Sequence, residues 1–192
     1  SSAGIYINNH TMSASLFLKV GEEDYQKYVK DIYIRAAKEI GDMPLTVCND
    51  GDVTALAGAM SLNKDGILGI AMGTSEAGGY VDMDGNITGW LNELAFVPCD
   101  LNPSAMVDEW SGDAGCGVKY FSQDAVIKLA PAAGIALDEA LSPAEKLKVV
   151  QTELQSGNEN AKKIYETIGV YLGYTLAFYC MFYDINNVLL MG

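Results

Sequence analysis

The sequence predicts an α/β fold, because helical and strand-like stretches alternate along its 192 residues. Hydrophobic residues make up 49% of the chain and charged residues 19%, which is typical of a globular protein with a sizeable core. The chain contains no internal repeat and no low-complexity tract. Its length is therefore enough for one large domain or for parts of two.

The first 62 residues predict two strands and two helices. Tyr25, Ile32 and Ile40 recur at helical spacing, and Gly41 ends that helix. The second helix is rich in small residues, which permit close backbone approach. The predicted strands are 3–8, which ends on an Asn8-Asn9 turn, and 45–48; the predicted helices are 22–40 and 53–62.

The rest of the chain predicts strands first and helices afterwards. Asp84-Gly85 is a strong hairpin signal between two short strands. Ser142 and Glu145 form a capping-box pattern, with Pro143 at the first helical position. The predicted strands are 66–72, 79–83, 86–88 and 188–191, the predicted helices are 120–130, 142–155 and 158–183, and residues 89–117 lack periodicity.

The composition of the chain limits the kinds of molecule that it is expected to bind. The net charge of −13 repels phosphate backbones and anionic lipid, so we expect no nucleic-acid partner through this stretch. Helix N-termini and backbone N–H groups still allow a nucleotide to bind. The most apolar run, 168–183, is too short for a membrane span and predicts a buried helix.

Cysteine and histidine usage points to a cytoplasmic protein without a metal site. The four cysteines show no Cys-x-x-Cys spacing, so we expect reduced and mostly buried thiols. His10 is the only histidine and falls in a predicted turn, where we expect a surface side chain. Histidine-based acid/base or triad chemistry is therefore disfavoured.

Three segments carry candidate site residues, and each also has a purely structural interpretation. Asn49-Asp50 sits where a predicted strand meets a helix, so Asp50 could accept a proton from a substrate hydroxyl, or the pair could cap the helix. Gly73–Gly79 could hold an anion through backbone N–H groups, or form a tight hairpin. Glu93 lies in an aromatic, irregular segment that suits a sugar, or is a surface residue.

The order of these motifs resembles that of the ROK family (repressor, ORF, kinase) of sugar kinases. Residues 48–58 are similar to the family's E-N-D-A-N-A-A-A-L-G-E segment, and Gly73–Gly79 takes the place of its G-T-G-I-G-G-G phosphate loop. Asn92-Glu93-Leu94-Ala95-Phe96 resembles the sugar-binding G-E-I-G-H. The similarity continues through the hairpin turn, the end of the zinc loop and the run into the adenosine-binding glycines, at 84–86, 112–116 and 189–192.

The resemblance implies an actin/hexokinase-like (ribonuclease H-like) fold of two lobes. Residues 1–60 would be part of the small lobe, and 61–192 would belong to the large lobe. Asp50 would be the general base of an ATP- and Mg²⁺-dependent sugar kinase. Asn49 and Glu93 would bind the sugar, and Gly73, Thr74 and Ser75 would meet the ATP phosphates. A homodimer is also expected from the family.

The sequence departs from the family pattern at several positions. Phe96 stands at the sugar-binding histidine, and Val118 stands at a glutamate. Of the zinc cysteines only Cys116 is matched, so we expect no zinc, and the first phosphate loop has no counterpart, so we expect an incomplete chain. Two alternatives therefore stay open: a non-catalytic sugar sensor of the ROK-type transcriptional regulators, and an interaction domain without a small-molecule site.

Overall fold

The computed structural model describes residues 3–192 and shows an α/β protein with two sheets. An antiparallel hairpin joins β1 (Ile5–Ile7) to β2 (His10–Ser13), and Asn8 and Asn9 form its turn with positive φ angles. The second sheet has the order β4-β3-β5, formed by Glu76–Val81, Ile67–Met72 and Asn187–Met191. The predicted Asn8-Asn9 turn is confirmed, whereas β2 is a strand that the sequence did not predict.

Six helices accompany the sheets in the described part of the chain. The predicted helix 22–40 is divided into α1 (Glu22–Asp24), a π-helical segment (Tyr25–Val29) and α2 (Ile32–Glu39). The capping box of Ser142 forms as predicted at the start of α5. The other helices are α3 (Asp50–Leu62), α4 (Gln123–Leu129), α5 (Pro143–Gln155) and α6 (Glu159–Tyr179); short 3₁₀ helices cover Ser15–Phe17, Leu94–Phe96 and Gly117–Lys119.

The predicted strand 45–48 is wrong, because this segment pairs with no strand among residues 3–192. The side chain of Asn9 takes the place of a partner strand. Its amide nitrogen donates to the Leu45 carbonyl at 3.1 Å, and its oxygen accepts from the Val47 N–H at 2.8 Å. The placement of His10 in a turn is also wrong: it begins β2, and its Nδ1 lies 2.7 Å from Asp31 Oδ1.

The chain divides into two compact units. The first holds the chain up to Gly69 together with Gly79–Asn92 and Asn186–Leu189. Its core packs Ala55 and Ala59 of α3 against Ile67 of β3 and Val81 of β4. The second unit holds Ile70–Gly78, Glu93–Ile185 and Leu190–Gly192. The prediction that lobes divide near residue 60 stays a prediction.

The core of the second unit is helical. Val126 of α4, Val150 of α5 and Ile164 of α6 form a buried cluster. The prediction of a buried helix at 168–183 is correct for one face only, because Val170 and Tyr174 are exposed while Leu172 and Tyr179 are buried. No helix in the described residues is long and apolar enough to span a bilayer.

The cysteines differ from the prediction of mostly buried thiols. Cys116 is buried, Cys48 and Cys99 are half-buried, and Cys180 is exposed; all four are free.

Candidate active site

Asn49 and Asp50 lie at the N-terminus of α3 in the first unit. Asn49 is the N-cap residue: its Oδ1 accepts from the Gly51 N–H at 2.8 Å, and its Nδ2 donates to the Gly4 carbonyl at 2.9 Å. The capping interpretation of this segment is therefore confirmed for Asn49. Asp50 is the first residue of the helix and its side chain is exposed. An exposed carboxylate held at a helix N-terminus can reach a bound hydroxyl.

Asp52, two residues further along α3, is buried and is not among the site residues that the sequence predicts. Its Oδ1 accepts from Asn92 Nδ2 at 2.7 Å and from the Tyr80 N–H at 3.3 Å. Burial raises the pKa of the Asp52 carboxyl, and these two hydrogen bonds oppose that effect. The only sequence signal was an aspartate in an otherwise apolar, small-residue helix, which fits a first-turn acidic residue equally well.

The backbone of β4 lies directly on the first turn of α3. A Cβ built on Gly79 would overlap the carbonyl group of Gly51 and would lie 2.6 Å from the Asp52 nitrogen. Only glycine permits this approach, since any side chain would force the strand away from the helix. The close contact places the Tyr80 N–H within reach of Asp52.

Trp90 extends this region with an aromatic surface in the same unit. Its indole stacks on Tyr80 with a centroid distance of 5.9 Å and an interplanar angle of 15°. Tyr80 is buried, whereas Trp90 is 54% exposed. The indole is therefore supported on one side by a fixed ring, an arrangement that suits stacking of an apolar ligand face.

Of the predicted phosphate loop Gly73–Gly79, residues 73–75 form the connection between β3 and β4 in the second unit, and the remaining residues belong to β4. Gly73, Thr74 and Ser75 are all exposed, and the Gly73 N–H donates to the Ser75 carbonyl at 3.0 Å. The Gly73 carbonyl accepts from the Gln123 N–H, at the start of α4, at 2.9 Å. The hairpin interpretation of this segment is confirmed, and the Ser75 hydroxyl donates to the Glu76 carbonyl at 3.5 Å.

Glu76, the first residue of β4, points away from this turn and into the second unit. It is 5% exposed, and its carboxyl group lies so close to Gly117 that a Cβ built on that glycine would overlap it. Neither oxygen has a hydrogen-bond partner among the described residues. Burial raises the pKa of Glu76 to about 8. The turn 73–75 therefore carries no outward-facing carboxylate of its own.

Glu93 also lies in the second unit, half-buried, directly before the 3₁₀ helix Leu94–Phe96. Phe96 contacts Trp110 with a ring-centroid distance of 5.5 Å and an angle of 35° between the rings. Both aromatic side chains are partly exposed, at 36% and 69%. An aromatic pair thus follows the predicted sugar-binding carboxylate at the position where the family pattern has histidine.

The irregular segment 89–117 is held by a buried lysine. Lys119 Nζ lies 2.5 Å from Glu109, 2.8 Å from Asp124 and 3.9 Å from Asp108. Burial acts to lower the pKa of Lys119, but its hydrogen bonds and charge interactions with Asp124 and Glu109 outweigh that effect and raise it. Within residues 3–192 no group of three or more histidine, cysteine, aspartate or glutamate side chains could hold a metal ion.

The predicted site residues thus fall into two sets. Asn49 and Asp50 come together in the first unit, with Asp52 and Asn92 beside them; Gly73, Thr74, Ser75 and Glu93 belong to the second.

Several solved structures with a similar fold are described as ROK-family proteins. A ROK hexokinase from Thermus thermophilus aligns with a TM-score of 0.63 at 22% identity, over 82% of this chain and 52% of its own. A ROK family glucokinase from Streptomyces griseus, in complex with glucose and AMPPNP, gives 0.63 at 17% identity, over 81% and 54%. A ROK family transcriptional regulator, a homolog of the E. coli MLC protein, gives 0.64 at 18% identity, over 97% and 44%.

The chain spans about half the length of the solved structures that it matches. No family model matches the sequence, and no curated protein matches it. The fold likeness covers most of this chain and agrees with the motif order in the sequence. The chain therefore has the actin/hexokinase-like fold of ROK-family proteins, a fold found both in sugar kinases and in a transcriptional regulator of that family.

Proposed function

We propose that the protein to which this chain belongs transfers the γ-phosphoryl group of ATP to a hydroxyl of a sugar. The observation that carries the proposal is the exposed carboxylate of Asp50, fixed at the N-terminus of α3 in a fold shared with ROK hexokinases and glucokinases. On this proposal the protein binds a small-molecule sugar and forms a homodimer. It acts in the cytoplasm, where ATP is abundant.

Asp50 is assigned the role of general base. Its carboxylate takes the proton of the sugar hydroxyl as that oxygen attacks phosphorus, and such a base typically contributes about 10²–10⁴-fold in rate. Asn49 holds the start of the helix through its cap, with Oδ1 on the Gly51 N–H and one amide N–H on Gly4. We assign its second amide N–H to a sugar hydroxyl.

The turn Gly73–Ser75 is assigned to the phosphates of ATP. It is exposed and begins with glycine, it carries the hydroxyl groups of Thr74 and Ser75, and the side chain of Glu76 is buried. These features fit a polyphosphate, since hydroxyl groups can donate to its oxygens and no adjacent carboxylate repels it. Bound Mg-ATP supplies the phosphoryl group and a neutralising divalent charge.

Glu93 is assigned to sugar hydroxyls, and the Phe96–Trp110 pair to an apolar part of the substrate. Carboxylates accept from two hydroxyls at once, whereas aromatic rings pack on the C–H face of a sugar. Replacement of a histidine by Phe96 removes a polar contact, so the preferred sugar is expected to differ from glucose in the substituent that reaches this position.

A second candidate is a sugar-sensing domain of a ROK-type transcriptional regulator. Two observations favour it: a solved ROK regulator aligns over 97% of this chain, and Phe96 and Val118 replace polar residues of the kinase pattern. Such a domain would bind a sugar without transferring phosphate.

The test is a screen of sugars with ATP on the full-length protein, followed by Asp50→Asn. The kinase proposal expects ADP release that depends on one sugar and falls by at least about 10²-fold in the variant. Asp24→Asn, also an exposed first-turn aspartate, is the matched control and should keep full activity. Activity that survives Asp50→Asn would remove Asp50 as the base; sugar binding without ADP release would favour the regulator.

A further inference from the structure

Asp52 is a buried acidic residue that the proposed chemistry does not use. It is 5% exposed, yet it lies in the first turn of the helix that carries the exposed Asp50. Burying a carboxyl group is unfavourable unless polar partners compensate. Here both partners are N–H donors, Asn92 Nδ2 at 2.7 Å and the Tyr80 backbone at 3.3 Å.

These two hydrogen bonds join three parts of the first unit that are far apart in sequence. Asp52 belongs to α3, Tyr80 belongs to β4, and Asn92 ends the segment that follows the hairpin. Tyr80 is 28 positions and Asn92 40 positions away from Asp52. A carboxyl group needed only for the helix N-terminus would accept from the helix's own N–H groups instead.

The close packing of Gly79 leaves this arrangement little freedom. The β4 backbone touches the Gly51–Asp52 peptide, so Asp52 cannot move without displacing the strand. Asn92, whose amide Asp52 holds, is 8% exposed and is bonded directly to Glu93, the proposed sugar ligand. Both Asp50 and the residue before Glu93 therefore depend on one buried side chain.

We infer that Asp52 is a positioning residue, which fixes the first turn of α3 under Asp50 and holds Asn92, next to Glu93, through the Asn92 amide. The effect that we expect Asp52 to have on the rate of phosphoryl transfer rests on the proposed function. Displacement of a reacting group by about 1 Å can cost about 10²-fold in rate. Asp52 touches neither the sugar nor ATP in this assignment and acts through its two hydrogen bonds.

The experiment is an exchange of the two side chains. Asn92→Asp places a second carboxyl group within hydrogen-bond distance of the first, and we expect kcat to fall about 10²-fold with little change in KM for ATP. Adding Asp52→Asn restores a compatible pair: the new amide oxygen accepts from Tyr80, and its N–H donates to the new carboxyl. We expect the exchanged variant to regain kcat to within about tenfold of the wild type.

Two further measurements make the result decisive. Asn160→Asp, an exposed asparagine on α6, is the matched control and should leave kcat unchanged. Hydrogen exchange at the Tyr80 amide reports on Asp52 without any activity: protection should be lost in Asp52→Ala and kept in the exchanged variant. If Asn92→Asp does not fold, Asn92→Ala replaces it, with an expected loss of about tenfold in kcat.

The outcomes separate the two proposals. An active wild type whose exchanged variant stays as slow as Asn92→Asp overturns the positioning role and leaves the kinase proposal intact. Unchanged protection at Tyr80 in Asp52→Ala overturns it as well. A wild type that phosphorylates no sugar refutes the kinase function and with it the effect on rate, while the Tyr80 exchange still decides whether Asp52 holds this part of the fold.

Discussion

Replacement of Glu76 by glutamine tests whether a buried neutral carboxyl group sets the pH dependence of stability. The Glu76 carboxyl lies against Gly117, with neither oxygen hydrogen-bonded among the described residues. Cys99 and Tyr179 are the titratable groups near enough to be affected by its charge, and the Tyr179 hydroxyl is likewise without a partner there. Neither Cys99 nor Tyr179 can carry a positive charge that would offset a negative charge on Glu76. The folded state therefore favours the protonated carboxyl group of Glu76.

The sign and size of the change in stability with pH follow from the shift in the pKa of Glu76. Burial raises the folded-state pKa of Glu76 to about 8 from its ordinary value of 4.5, so between these two pH values the folded chain holds a proton that the unfolded chain has released. Stability therefore falls as pH rises from 4.5 to 8, by up to about 1.4 kcal/mol per pH unit. The accumulated loss is about 3 kcal/mol at pH 7 and about 5 kcal/mol above pH 8.

The assay is urea unfolding of the chain at pH values from 4.5 to 8.5, followed by tryptophan fluorescence. A Trp90→Phe background leaves Trp110, which lies in the same unit as Glu76, as the reporter. Glu76→Gln should flatten the pH profile and stabilise the chain by about 3 kcal/mol at pH 7, with a much smaller difference at pH 4.5. Glu139→Gln, at an exposed position, should keep the wild-type profile. Parallel profiles for wild type and Glu76→Gln would refute the reasoning.

Two further predictions concern Asn49 and Lys119. Asn49→Ala removes the N-cap of α3 and should lower the free energy of unfolding by about 1 kcal/mol in urea titrations. Asn49→Ser keeps a capping oxygen and should mainly raise KM for the sugar. Equal losses of stability in the two variants would contradict this expectation. Lys119→Met leaves Asp108, Glu109 and Asp124 without their shared cation and should lower stability by about 2 kcal/mol, an expectation that fails if the denaturation midpoint does not move.

Elements with strong local signals could be predicted from the sequence. The α5 helix begins at Pro143 because Ser142 and Glu145 satisfy each other's backbone N–H groups, a pattern complete within four residues. The Asp84-Gly85 turn forms for the same kind of reason, with Asp82 Oδ1 accepting from two nearby N–H groups. Such interactions need no information from distant parts of the chain.

Elements that depend on distant partners could not be predicted in the same way. The segment 45–48 has the composition of a strand, but its backbone groups at Leu45 and Val47 are bonded to the Asn9 side chain. The candidate site residues were found through the order of motifs, not through local pattern, since Asn49 caps a helix and Gly73–Ser75 forms a hairpin turn. Motif order carries this information because it reports the sequence of elements in the whole fold.

Asp52 and Glu76 show most directly what the local sequence cannot predict. Both are acidic residues among glycines and small apolar residues, and both are 5% exposed. Asp52 receives two N–H donors from residues 28 and 40 positions away, whereas neither carboxyl oxygen of Glu76 has a hydrogen-bond partner among the described residues. Loss of the Asp52 carboxyl leaves two buried donors without an acceptor, while loss of the Glu76 charge removes a cost. A scan of substitutions should therefore tolerate neutral side chains of similar size at Glu76 and reject apolar ones at Asp52.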